Sequence, residues 1–232
     1  MKLYIDIETA TPLGSLRDDT LLNKSPLSEY LQGYMQKNKV TAAEAFDMLA
    51  LNPQYGIVHT IAIGYELEGK VKIKSITNTD EKALLKEVLS IIDKRESMLV
   101  GHSLKDFDLP FILRRAYRYR LPIKYIIPLG KKPWETTTQD TKEKWKMGSY
   151  MNTSSLKDIC ACLNIPTPKD DISGKDVSKL FWQGKEKDLV RINKYCAKDV
   201  LATMAVDYIM EQAGEIMAMP TSYEYIINNK SI

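Results

Sequence analysis

Lys2-Leu-Tyr-Ile-Asp-Ile-Glu8 alternates without a break, Leu3, Ile5 and Ile7 falling on one face and Tyr4, Asp6 and Glu8 on the other. A period of two predicts a strand with one face turned to a core. Alternate side chains of a pleated strand leave the backbone on the same side. Asp6 and Glu8 are therefore expected side by side at the C-terminal end of the first strand.

The pattern changes beyond it. Residues 11–53 read as a helical insertion, with helix starts at Ser25-Pro-Leu-Ser-Glu-Tyr30 and Thr41-Ala-Ala-Glu-Ala-Phe46, the second carrying a Thr41/Glu44 capping box. Ile57–Tyr65 and Lys70–Ile76 are strand-like runs joined by the hairpin signal Glu68-Gly69. Helical periodicity covers Asp80–Asp93, and Met98-Leu-Val100 is a short buried strand ending at Gly101. Then follow a helix over Phe107–Tyr119, a strand around Thr136–Asp140 and a helix over Ser154–Leu163 capped by Ser154 or Ser155. A short helix and loop at Ser173–Gly184 precede a long helix over about Lys187–Glu215. This order predicts an α/β, ribonuclease-H-like fold: a mixed central sheet of about five strands flanked by helices. The expected domain spans residues 1–215, with 216–232 as a C-terminal tail.

The 44% hydrophobic and 27% charged fractions are those of an ordinary globular protein. No apolar run reaches the ~18 residues a membrane helix needs. The first residues carry neither a basic n-region nor a cleavage site, which reads as a cytoplasmic protein. Cys160, Cys162 and Cys196 have only His59 and His102 as companions, too few ligands nearby for zinc, and read as buried small side chains. The net charge of +3 is unevenly spread: Lys105–Lys146 holds eleven basic and five acidic residues. A basic middle against a slightly acidic remainder suits a polyanionic partner such as nucleic acid, although solvated basic helix faces are common.

Acidic residues recur where a sheet's functional edge would lie. Asp6 and Glu8 close the first strand, Asp106 and Asp108 follow a short buried strand, and Asp199 shares a helix face with Tyr195, four residues away. Taken singly, each has an ordinary reading as a solvated strand end, an N-cap or packing. Taken together, they match what metal-dependent phosphodiester cleavage needs. Hard divalent ions take oxygen ligands, and carboxylates crowded together repel strongly unless cations sit among them.

Tyr4-Ile-Asp-Ile-Glu-Thr9, Gly101-His-Ser-Leu-Lys-Asp-Phe-Asp-Leu-Pro-Phe111 and Tyr195-Cys-Ala-Lys-Asp199 resemble, in order and spacing, the three motifs of the DEDD 3′–5′ exonucleases. The third has the Y-x-x-x-D form of the tyrosine subclass; Lys194 stands where the histidine subclass has His. Within the family the chain resembles stand-alone bacterial exonucleases related to the proofreading domain of family-B DNA polymerases. The resemblance implies a 3′–5′ exonuclease that hydrolyses single-stranded DNA to 5′-mononucleotides with two Mg²⁺ or Mn²⁺ ions. It makes Asp6, Glu8, Asp108 and Asp199 the metal ligands and Tyr195 the residue that orients the attacking water. Asp108 is favoured over Asp106 because it follows Phe107 directly, as the motif requires. Ser103 stands where the family usually has Asn.

For substrate contacts, Thr9 and Leu104 or Phe107 are expected to flank the 3′-terminal nucleotide. Ser103 belongs to the same loop, and Arg114 and Arg115, with Arg118 and Arg120, offer phosphate contacts. Two other functions fit less closely: a ribonuclease-D-type 3′–5′ exoribonuclease, and a catalytically idle module that binds nucleic acid or a protein partner. The missing helical RNA-binding appendage leans towards DNA, and filled acidic positions argue against an idle module.

Overall fold

The computed structural model describes residues 1–12, 26–94, 96–126, 137–149, 154–166, 172–212 and 216–228. The opening alternation forms β1 (Lys2–Ala10). A hairpin follows, β2 (Ile57–Leu67) and β3 (Lys70–Asn78), turning at Glu68 and Gly69 with φ of 53° and 69°. Two successive positive φ values give a turn whose twist matches that of the strands. Then come β4 (Met98–Gly101), β5 (Thr138–Asp140) and β6 (Thr221–Asn228). They form one sheet in the order β5-β4-β1-β2-β3-β6, in which β2 alone runs antiparallel to its neighbours.

Two short helices, α1 (Pro26–Asn38) and α2 (Ala42–Asp47), lie between β1 and β2. The Thr41/Glu44 capping box forms as expected. The insertion has its own small core of Leu27, Leu31, Ala45, Phe46 and Leu49. Its expected first helix start, at Ser25, lies outside the described residues. Helices α3 (Glu81–Ile92) and α4 (Leu109–Arg118) cover one face of the sheet. There Leu3, Ile5, Ile7, Ile61 and Ile63 meet Leu84, Leu85, Val88, Phe111 and Ile112.

Four more helices follow: α5 (Thr141–Lys146), α6 (Leu156–Cys162), α7 (Gly174–Gln183) and α8 (Glu186–Met210). Ser155 caps α6 through a reciprocal bond with Asp158. On this face Tyr4, Ala62 and Ile73 pack against Ile159 of α6 and Cys196, Val200 and Met204 of α8. Gly64 lets α8 lie directly on β2, because a Cβ there would stand 2.5 Å from Val200 Cγ1 and 3.0 Å from Met204 Sδ. Among the described residues, no helix is long and apolar enough to cross a membrane.

Four expectations are corrected. Residues 221–228, read as part of a tail, form the sixth strand, paired in parallel with β3 from Val71↔Thr221 to Asn78↔Asn228. The long helix ends at Met210; Glu215, like Thr136 of the expected fifth strand, lies outside the described residues. Cys162 is exposed, while Cys160 and Cys196 are buried.

The fourth concerns Arg115, read as a phosphate contact. It is 2% exposed, and its Nε and Nη2 donate to Glu81 Oε1 and Oε2 at 2.8 and 2.6 Å. Glu81 also accepts from Val58 N and Tyr119 Oη, both at 2.8 Å. The fork of the guanidinium is committed to a buried carboxylate that ties α3 to β2 and α4. Removing one member of such a pair strands the other charge without water. Arg115→Ala is expected to cost about 3–5 kcal/mol of stability in urea unfolding; an unchanged midpoint would mean that Glu81 is solvated.

Candidate functional site

The end of β1 carries the first two acids. Its register with β2 shifts between Glu8 and Thr9, where β2 holds one additional residue, His59, a bulge that increases local twist. Glu8 and Thr9 are both buried, each 8% exposed, as are the consecutive Leu3, Tyr4 and Ile5, because helices cover both faces of the sheet. Asp6 is half-buried beside them.

The second segment is folded back tightly. At Gly101 a Cβ would meet Leu104 Cβ at 2.9 Å and the Ile5 carbonyl oxygen at 3.1 Å. Ser103 then takes a left-handed conformation, φ 63°, and residues Leu104–Asp108 make one π-helical turn before α4 begins. This wide turn occupies the first part of the expected Phe107–Tyr119 helix. It buries Asp108, 4% exposed, whose Oδ1 accepts from Ile7 N at 3.2 Å. Asp106 faces solvent. The position after Phe107 is thus the one turned towards β1.

From α8, Asp199 stands near enough for its charge to act on Asp6, Glu8 and Asp108. Cys196, three residues earlier on the same helix face, donates its thiol towards Asp6, with Sγ 3.4 Å from both Oδ2 and the carbonyl oxygen. Asp6, Glu8 and Cys196 offer ligand atoms all within 4.8 Å of one another. Cys196, expected only as a buried small side chain, thus belongs to the site, and its i,i+3 spacing from Asp199 is the signal for it in the sequence. Tyr195 is half-buried and packs with Val177 and Phe181 of α7 and Leu189 and Ile192 of α8.

The electrostatics are those of like charges crowded together. Burial, then the charges of Asp108, Asp199 and Glu8, holds Asp6 well above the usual carboxylate range, opposed by the Cys196 thiol. Burial and the same two aspartates do likewise to Glu8. Burial pushes Asp108 up to about 7, against the backbone N–H bonds it accepts, with Asp140 and Asp199 adding to the rise. Among the described residues, no Lys or Arg is ion-paired with Asp6, Glu8 or Asp108. Such a set of oxygen donors fits hard divalent cations. The Cys196 thiol is pushed well above its ordinary value by burial and these acids, so it stays protonated.

The expected substrate contacts separate. Thr9 is at the bulge, Phe107 is half-buried and tilted against Phe111 at 5.5 Å, and Arg114 is exposed. Leu104, by contrast, is fully buried in the core beneath α3 and α4, so it is corrected from a nucleotide contact to a packing residue. Ser103 Oγ accepts from Lys142 Nζ at 3.0 Å. Asp140, which the sequence marks only as the end of a strand, also belongs to the surroundings of the site. It is 2% exposed, and it caps α5 while accepting from the loop that precedes Asp108.

A sheet of this order, with helices on both faces, is an α/β architecture of the ribonuclease-H-like kind. The family model of predicted 3′–5′ exonucleases related to the exonuclease domain of PolB matches residues 51–228, and the chain belongs to that family. The matched span holds the second and third motifs and begins after β1. Among solved structures, the family B DNA polymerase of the hyperthermophilic archaeon Pyrobaculum calidifontis is similar at a TM-score of 0.55 and 13% identity. That match covers 90% of this chain and 24% of the polymerase, and at this identity it speaks for the fold. No curated protein matches the chain.

The raised Asp108 has a testable sign. Its folded value, about 7, exceeds the ordinary 3.8, so the folded protein holds a proton that the unfolded chain releases between those values. Its contribution to stability is full below pH 3.8 and lost as pH rises through about 7, at up to about 1.4 kcal/mol per pH unit. His59 runs the other way, since burial lowers it to about 3. The informative quantity is therefore the difference between wild type and Asp108→Asn in EDTA. Wild type should lose stability relative to the variant from pH 4 to 7, and parallel curves would place Asp108 in solvent.

Proposed function

We propose that the protein is a 3′–5′ exonuclease that removes 5′-mononucleotides from the 3′ end of single-stranded DNA. The observation that carries this reading is the convergence of four carboxylates from three distant segments, the end of β1, the π turn and the middle of α8. Membership in a family of predicted 3′–5′ exonucleases supports the reaction, and the relation of that family to PolB favours DNA over RNA.

Asp6, Glu8 and Asp199 would hold one Mg²⁺ or Mn²⁺, and Asp6, with Asp108, a second. When bound, two such cations supply positive charge to the attacking water and to the leaving 3′ oxygen. The chain's own residues do the rest. Tyr195 orients the attacking water by hydrogen bond; as a phenol, with an ordinary pKa of about 10, it is a poor proton acceptor in neutral form. Thr9 at the bulge and Phe107 flank the terminal nucleotide through backbone and apolar contact, which suits hydrolysis indifferent to base. Arg114, on the exposed side of α4, meets phosphate further along the strand.

Incubation with 3′- and 5′-labelled single-stranded DNA and RNA, in Mn²⁺, Mg²⁺ or EDTA, tests this reading. Mononucleotide release from the 3′ end that EDTA abolishes is the expected result; release from RNA alone would move the substrate to RNA. Asp6→Ala and Asp199→Ala should fall to the EDTA background, and full activity in either would sink the two-cation scheme. Tyr195→Phe should retain metal binding and lose up to about a hundred-fold in rate, the cost of a misplaced nucleophile. Wild-type rates in that variant would leave Tyr195 as packing against α7.

A further inference from the structure

The loop that carries Asp108 into the site is held residue by residue by the segment Asp140–Glu143. His102 Nδ1 and Thr141 Oγ1 lie 3.0 Å apart, and Thr141 Oγ1 also donates to the Gly101 carbonyl at 3.2 Å. One buried carboxylate, Asp140, accepts from Ser103 N at 3.1 Å, Lys105 N at 3.0 Å and Lys142 N at 2.9 Å. Lys142 Nζ donates to Ser103 Oγ at 3.0 Å, and Lys105 pairs with Glu143 at 2.6 Å. Asp140 thus grips the loop on both sides of Leu104, where its geometry is least ordinary. Ser103 is a non-glycine residue at positive φ, and the π turn that follows is wider than an α-helical one. Conformations of this kind persist only when their surroundings over-determine them.

We infer that Asp140 is a positioning residue for catalysis: it fixes the loop and π turn so that Asp108 faces Asp6 and Glu8 in the geometry a cation requires. The inference rests on the proposed role of Asp108 as a metal ligand. Asp140 touches neither cation nor substrate in this scheme; it acts through the backbone N–H groups of Ser103 and Lys105. The buried charge of Asp140 also reaches Asp108, adding to the negative potential that draws a cation there. Partners that hold metal ligands in place commonly change affinity or activity about 10–100-fold when removed.

Asp140→Asn keeps the size of the side chain, removes the charge and turns an amide nitrogen towards one N–H donor. The expected result is weaker Mn²⁺ binding by about ten-fold or more, measured without nucleic acid by calorimetry or by the free-Mn²⁺ resonance signal. In the same variant kcat should fall about 10–100-fold while KM for the oligonucleotide stays within about two-fold. Asp158→Ala, which removes the acceptor that completes the capping box of α6, serves as the stability control. It should lower the melting temperature and leave Mn²⁺ binding unchanged.

Wild-type Mn²⁺ binding and kcat in Asp140→Asn, or a loss no larger than that of the control, would overturn the inference. Should Asp140→Asn not fold, Thr141→Val removes the neighbouring grip on His102 and Gly101; it should shift Mn²⁺ binding in the same direction, and wild-type binding would overturn the inference equally. Asp108→Asn separates this from the reading beneath it. If that variant binds Mn²⁺ like wild type, Asp108 is no ligand and the proposed site itself is wrong. If it weakens binding and Asp140→Asn does not, only the positioning role fails.

Discussion

Like-charge repulsion among crowded carboxylates is the constraint around which this molecule is organised. Burial raises the protonation of Asp6, Glu8 and Asp108, and the charge of Asp199 adds to the rise in all three. A chain free to relax would move them apart. That they stay together follows from where each is anchored: on a strand with neighbours on both sides, on a turn locked to that strand by the Ile7 amide, and on a long helix laid flat across the sheet. The core's two halves, one under α3 and α4 and the other under α6 and α8, supply the burial that resists the repulsion.

The parts of this design that were legible in the sequence are those with a short-range signal. The alternation of Lys2–Glu8 needs only a period of two, and Thr41/Glu44 and Ser155/Asp158 declare helix starts within four residues. Asp6, Glu8, Asp199 and Tyr195 could be singled out because local geometry and motif agreed. The strand β6 gave no such signal. It is an edge strand, mostly exposed on both sides, so no buried face imposed an alternation on Thr221–Asn228. The bulge after Glu8 was equally hidden, because it arises from the pairing of two strands and not from either one.

Arg115 and Asp140 show a different kind of illegibility. A guanidinium reads the same in a sequence whether it meets phosphate or a buried carboxylate 34 residues upstream. Arg114, its neighbour, has the same chemistry and points to solvent. Asp140 looks like an ordinary cap of a short helix, and it is one. Only folding shows that its remaining lone pairs serve a loop 35 residues earlier. Leu104 and Leu109 enclose the π turn from within the core, which explains why a position expected to meet a nucleotide is closed off.

Asp207, eight residues beyond Asp199 on α8, is fully buried; it accepts from Tyr4 Oη at 2.9 Å, Lys2 Nζ and Lys144 Nζ at 2.8 Å and Gln139 Nε2 at 2.6 Å. At 1.5 Å of rise per residue, the two aspartates are about 12 Å apart along the helix axis. Asp207 is fastened to the first residues of β1 while Asp199 addresses the last ones. Helix and strand are thereby indexed to each other at two points, as a scale is fixed by two marks. A slip of α8 by one residue would turn Asp199 by about 100° away from Asp6 and would break the far network at the same time. The distance between the carboxylates is thus set in part by residues at the opposite end of the sheet.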